Sequence, residues 1–339
     1  MLGTAMADLF FSVVLPTYNR ARMALTALKT VRLQTSPDWE CLAVDDGSTD
    51  GTAQILSRLA DDPRIRILTS ERNLGMNASR NRAIQEARGR FVTFLDSDDL
   101  WLAPRLERFR RRLTEVPESG FLFSNAYVWR YNRILGTLFD PARAIPEGVV
   151  PGHYAVGDGH LPYVTTNVAI RRDAFERWGT FRTEMKTLDT ELFARFLNAG
   201  LPVAAIREPL SVRRIHEGQL TGRHIENFEE ALRALESSGA SAEIRRERRK
   251  AICLEVALYL LKEGEPGQAR SLLLRELGSG ARATSIFRWT SVPRPALKAA
   301  KKLRRLWLTA SRHPALASPE LRRLYDWLAP LIEAERVSD

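Results

Sequence analysis

Short apolar runs that stop abruptly at polar turns constrain this chain more than any other feature. Three stand near its start. Phe11–Pro16 runs into Thr17, Tyr18, Asn19 and Arg20; Trp39–Val44 runs into Asp45, Asp46, Gly47 and Ser48; Phe91–Leu95 runs into Asp96, Ser97, Asp98 and Asp99. The β-branched and aromatic residues of these runs favour buried, pleated strands. Carboxylates cannot stay unpaired in such an interior, so each strand must end at an edge or cleft. In the third run, Asp96 and Asp98 stand at i and i+2 on a tight turn and can face one hard divalent ion. Magnesium or manganese suits carboxylate oxygens combined with substrate phosphates. Taken alone, the same acids also fit a helix N-cap ahead of the helical run from about Pro104.

Between the strands lie helical stretches at about 22–34, 52–60 and 77–87, the last closed by Gly89 as a C-terminal glycine. A further short strand falls at 65–68. Strand–helix alternation with short turns predicts βαβ units and a parallel sheet, and ligands bind such sheets beyond the carboxyl ends of their strands. The three polar turns should therefore converge on one crevice. From about residue 117 the pattern changes. Longer strands are expected at 120–131 and 163–171, an irregular Gly- and Pro-rich loop at 132–160, helices at 173–178 and 189–199, and strands at 203–206 and 210–215. After 222 every apolar pattern is helical: 224–237, 242–263, 266–277, 295–310 and 319–335. This predicts one α/β domain over 1–222 and a helical domain over 223–339.

The turn DDGSTDG has three readings. Asp46, Ser48 and Asp50 resemble the start of a calcium-binding EF-hand loop, but its twelfth position is Ser57 where a bidentate Glu is needed. Ser48, Thr49, Asp50 and Gly51 suit a turn and helix cap. Asp46, at a strand end, can accept hydrogen bonds from a nucleobase or ribose. Neither a G-x-G-x-x-G fingerprint nor a G-x-x-x-x-G-K-[ST] phosphate loop occurs here, which disfavours NAD and a P-loop nucleotide.

The runs SVVLPTYNR, LAVDDGSTDGT and ERNLGMNASRNRAIQEARGRFVTFLDSDDLW, in this order, resemble the inverting glycosyltransferases of family 2, over roughly residues 10–217. The resemblance implies a GT-A fold, a Rossmann-like and mostly parallel central sheet flanked by helices, here with a C-terminal all-helical extension. It implies a nucleotide-diphosphate sugar donor, with UDP-sugars the usual ones, and Mn2+ or Mg2+ as cofactor. It puts Pro16, Thr17 and Tyr18 against the nucleobase, Asp46 on the base, Arg80 near the nucleotide and Asp96 on the ribose. Asp98 would meet the metal-bound diphosphate, and His216 would touch the diphosphate or the metal. Asp189 stands where the family keeps its general base, although Leu188 replaces the usual Glu before it. Thr166-Asn167 resembles the acceptor-side segment. The implied reaction is a single in-line displacement with no general acid. Plainer roles fit some of these residues too. Arg80 could be a surface arginine and Tyr18 core packing. Asp189 could be a simple helix cap beside a solvated Glu191, and His216 a structural hydrogen-bonder.

The chain has 339 residues, 44% of them hydrophobic and 27% charged, with a formal net charge of +10. That balance suits nucleic acid, an anionic membrane surface or phosphorylated substrates, but no nucleic-acid recognition module is visible. Residues 294–312 carry seven basic residues and no acid. There Ala296, Ala300, Leu303, Trp307 and Ala310 form an apolar stripe. Such a helix can lie on an anionic membrane or pack on the rest of the protein with a solvated basic face. No apolar run is long enough to span a bilayer, no signal peptide is evident, and the two cysteines are far apart. These features predict a cytoplasmic protein, peripheral at most to the inner face of the membrane, acting on a glycan or lipid-linked acceptor. The displaced Glu at 188 also allows a non-catalytic scaffold that binds nucleotide-sugar or glycan.

Overall fold

The computed structural model describes residues 9–130, 132–155, 161–185, 189–216, 224–298, 302 and 319–333. Its first half alternates as expected: β1 (Phe11–Thr17), α1 (Ala21–Arg32), β2 (Trp39–Asp45), α2 (Thr52–Ser57), β3 (Ile65–Thr69), α3 (Met76–Glu86) and β4 (Phe91–Phe94). There follow β5 (Leu100–Trp101), α4 (Arg105–Glu115), β6 (Phe121–Arg130), β7 (Arg133–Thr137), β8 (Val168–Arg171), α5 (Arg172–Trp178), α6 (Thr190–Asn198) and β9 (Val203–Arg214). One sheet takes all the strands in the order β3-β2-β1-β4-β8-β6-β9-β5, with β7 hydrogen-bonded to β6. β1, β2, β3, β4, β6 and β9 point one way, and β5, β7 and β8 the other.

Successive residues of the central strands serve opposite faces. Val13, Leu15, Cys41, Ala43 and Phe91 pack with Ala24, Leu28 and Val31 of α1 and with Leu106 and Phe109 of α4. Val14, Leu42, Val44, Val92 and Phe94 pack on the other face with Ala83 and Ile84 of α3 and Phe193, Phe196 and Leu197 of α6. That second cluster continues through Phe228 and Leu235 of α7 (His224–Glu236) into α8 (Ala242–Lys262) and α9 (Pro266–Leu277). A short α10 (Ser285–Trp289) follows. The last helix, α11 (Pro319–Glu333), returns to the sheet. Its Leu328 and Ile332 bury against Leu100, Trp129, Ile134 and Val212, and Tyr325 stacks on Trp129 at 5.6 Å.

Several local expectations differ from the structure. Residues 163–171 do not form one strand. Thr165–Asn167 coil into a 3-10 turn, because the Asn167 side chain accepts the Val164 N–H at 2.9 Å and donates to the Ser124 carbonyl. Pro209 does not divide two strands either. β9 runs through it, and the pairing with β6 absorbs it in register shifts around Asn125. Within the loop expected at 132–160, β7 forms a hairpin with β6 through Asn132 in a left-handed conformation (φ 57°). Gly89 is not a helix-ending glycine. It is required by space, since a Cβ there would lie 2.5 Å from the Phe11 carbonyl carbon and the Ser12 nitrogen.

Candidate active site

The carboxyl ends of β1, β2 and β4 meet in a cleft of about 770 Å³. The first two loops are knitted together by hydrogen bonds. Asn19, left-handed at φ 48°, donates its N–H to the Ser48 hydroxyl at 2.8 Å, and its side-chain oxygen accepts the Thr49 N–H at 2.8 Å. Asp50 accepts N–H groups from Ala21 at 3.1 Å and Thr52 at 3.0 Å. One side chain thus starts both α1 and α2. Gly47 sits at φ +73° with its α-carbon face against the backbone of Arg72 and Asn73, where a Cβ would come within 2.5 Å.

Pro16, Thr17, Tyr18, Asp46, Arg80, Asp96, Asp98 and Asp189 all line this cleft. His216 lies behind it, with Nε2 2.9 Å from Asp98 Oδ2. Tyr18 is 42% exposed and is not core packing. Asp46 is buried and accepts the N–H groups of Leu74 and Gly75 at 3.0 and 2.8 Å, so it also shapes the loop that closes the cleft ahead of α3. Arg80 is no surface arginine. It is buried, stacks over Phe181 and reaches Asp96 Oδ1 at 2.8 Å. Asp98 pairs with Arg20. Burial opposes its charge, but the hydrogen bond to His216 and the Arg20 guanidinium prevail and hold its carboxyl well below the usual range. Asp99 is buried and accepts the Arg214 N–H at 2.8 Å. Burial first, and the charges of Asp98 and Asp96 next, push its pKa well up.

Asp189 occupies the N-cap position of α6 but makes no side-chain capping bond. Its carboxylate instead accepts the Thr165 hydroxyl. Burial raises its pKa; Arg80 opposes that rise and Asp96 adds to it. Glu191 is not solvated: it is buried and paired with Arg195 and Arg182. Thr166 and Asn167 are fully buried and serve packing, the Thr166 carbonyl accepting the Trp101 indole N–H at 3.0 Å. Leu188, and within the basic stretch 294–312 the residues 299–301 and 303–312, lie outside the described residues.

Arg20, Arg213, Tyr163 and Thr165 also line the cleft. Sequence reasoning gave none of these four a role. Only Arg20 carried a signal, as the cation that ends the first polar turn. The other three come from distant segments that only the fold brings in. Among the described residues no three His, Cys, Asp or Glu side chains converge as a ready metal cage. Asp98 and His216 offer one carboxylate and one imidazole. That donor set fits a Mn2+ or Mg2+ ion whose remaining positions are filled by phosphate oxygens.

The fold has solved counterparts. TarS 1-349 of S. aureus in complex with UDP-GlcNAc superposes with a TM-score of 0.57 at 17% identity, covering 86% of this chain and 92% of that one. The mannosyltransferase PcManGT of Pyrobaculum calidifontis, in complex with GDP-Man and Mn2+, superposes at 0.55 with 21% identity, covering 95% and 84%. Both likenesses concern the fold. In sequence, the Escherichia coli UDP-Glc:alpha-D-GlcNAc-diphosphoundecaprenol beta-1,3-glucosyltransferase WfgD is 35% identical over 138 residues, 41% of this chain and 54% of that protein. The putative glycosyltransferase EpsH of Bacillus subtilis is 28% identical over 285 residues, 79% of this chain and 81% of that one. The chain thus spans about half the length of WfgD. The model of Glycosyl transferase family 2 matches residues 12–179, which include β1 from its second residue, β2, β4 and the three polar turns. Through that domain, with its parallel strands ending in one acidic cleft, the chain belongs to glycosyl transferase family 2.

Proposed function

We propose that this protein is an inverting glycosyltransferase that moves a sugar from a nucleotide-diphosphate donor, UDP-linked in the first instance, to an acceptor hydroxyl. The observation that carries the reading is that Asp189 shares one cleft with Asp46, Asp96 and Asp98, while burial raises its pKa. A carboxylate so perturbed is suited to accept a proton. In this reading Pro16, Thr17 and Tyr18 flank the nucleobase and Asp46 orients it. Asp96, fixed by Arg80, meets the ribose. Asp189, oriented by Thr165, takes the proton of the acceptor hydroxyl. The oxygen then attacks the anomeric carbon from the face opposite the nucleotide, and the configuration inverts. Asp98 and His216 would hold a divalent metal, which when bound supplies positive charge to the leaving diphosphate. The diphosphate then leaves as an anion, and no general acid is required.

The acceptor in this reading is a glycan or lipid-linked saccharide of cell-surface polysaccharide synthesis; the diphosphoundecaprenol-linked GlcNAc in the name of WfgD supports the lipid-linked form. Residues 1–222 perform the transfer, and the helical remainder, 223–339, supports it. No helix among the described residues is long and apolar enough to cross a membrane; in this reading the basic stretch 294–312 makes a peripheral membrane contact. The test is release of UDP from UDP-sugars in the presence of Mn2+ or Mg2+. Asp98→Ala and Asp189→Ala should each lower kcat/KM by at least ~100-fold. Full turnover by both variants would overturn the assignment.

A further inference from the structure

The cleft holds a cation of its own, and it sits on the carboxylate assigned above to the metal. The Arg20 guanidinium pairs with Asp98 through the same Oδ2 that lies 2.9 Å from His216 Nε2. The two side chains are 24% and 13% exposed, so the pair is shielded from bulk water but reachable from the cleft. The root of Arg20 is fixed. Its N–H donates to the Thr52 hydroxyl at 3.3 Å, and the next N–H, of Ala21, donates to Asp50. Its head lines the cleft. A divalent ion arriving at Asp98 alone would face a guanidinium already on that oxygen and would find too few protein ligands to displace it. Two cations at one half-buried carboxylate repel strongly. A diphosphate changes that balance, since it brings ligand oxygens for the ion and negative charge for the guanidinium.

We propose that Arg20 is the resident counter-cation of Asp98. It competes with the divalent ion for that carboxylate and yields it when the donor's diphosphate arrives, so metal and nucleotide bind with positive coupling. This rests on the function proposed above and deepens it. Arg20 acts as a positioning residue, setting when the metal enters.

The experiment is direct titration of the full chain with Mn2+, followed by the electron paramagnetic resonance signal of the free ion, with and without UDP. Arg20→Ala should tighten Mn2+ binding in the absence of UDP by about tenfold. Because Arg20 has already yielded Asp98 once UDP is bound, Mn2+ affinity with UDP should be little changed, and the factor by which UDP improves Mn2+ affinity should shrink by a similar amount. Arg20→Lys, which keeps the charge, should stay within about threefold of the parent. Should Arg20→Ala not fold, as judged by its melting curve, Arg20→Gln carries the same expectation. Loss of a merely structural side chain would not raise affinity for the ion. If the neutral variant binds Mn2+ equally or more weakly while the parent still binds it with UDP, the role of Arg20 is overturned and the sugar-transfer reading stands. If neither protein takes up Mn2+ even with UDP, the role of Arg20 falls, and the sugar-transfer reading is decided separately by UDP release from UDP-sugars.

Discussion

At the scale of single residues, the role proposed for Asp189 rests on its neighbours. Burial lifts its pKa above the ordinary carboxylate value, and the Thr165 hydroxyl donates to it. A hydrogen bond to a charged group is worth about 1.5–3 kcal/mol, and it favours the ionised form. Thr165→Val removes that donor, so the pKa of Asp189 should rise further. The general base proposed above works only when deprotonated. The acid limb of the kcat/KM–pH profile should therefore move to higher pH, with turnover recovering on the alkaline side. An unmoved limb in an active variant would mean that Thr165 does not orient the base. Arg80 illustrates the opposite case. Its position in the ASRN segment was legible, but its burial was not, because whether a helix arginine faces water or Asp96 depends on how α3 meets the sheet.

At the scale of elements, β1, β2 and β4 were readable because each strand is apolar and ends at a polar turn. The helices between them were readable from their alternation with those strands. The elements that escaped prediction have physical reasons for doing so. β5 is two residues long and carries no periodicity. β7 exists only through its pairing with β6. The continuity of β9 through Pro209 depends on a bulge that the partner strand accommodates. The 3-10 turn at Thr165 is imposed by the side chain of Asn167. Asp50 is the element-scale joint of the site, joining the starts of α1 and α2. Burial works against its charge, but the bonds from Thr52 and from the Ala21 and Thr52 N–H groups hold its pKa down. The stabilisation that follows is present above the unfolded pKa and disappears as pH falls through the lowered folded value. Asp50→Ala should cost on the order of 1 kcal/mol at neutral pH, seen by denaturant titration. The deficit should shrink in acid, where the parent loses the same contribution.

At the scale of the whole molecule, the apolar cluster beneath the sheet does not stop where the helical region begins. It runs from Phe193 and Phe196 through Phe228 into α8 and α9. The change of pattern near residue 222 was legible, but a shared core was not, since periodicity reports which face is apolar and not what covers it. Phe228→Ala should therefore destabilise the whole protein by about 3 kcal/mol or more. One lowered melting transition is expected, with cleft and helices lost together; two separated transitions would show that they fold apart. The convergence of the polar turns could be inferred from strand order, whereas Arg213, Tyr163 and Thr165 arrive from segments whose approach depends on the mixed half of the sheet. The return of α11 to the far border of that sheet has one more effect. It leans on Leu100 and Val212, paired neighbours that follow Asp99 and precede His216 in the chain. Cutting away α11 would thus spare every motif and still loosen the footing of the turn that carries Asp98 and of His216, the two side chains proposed above to hold the metal.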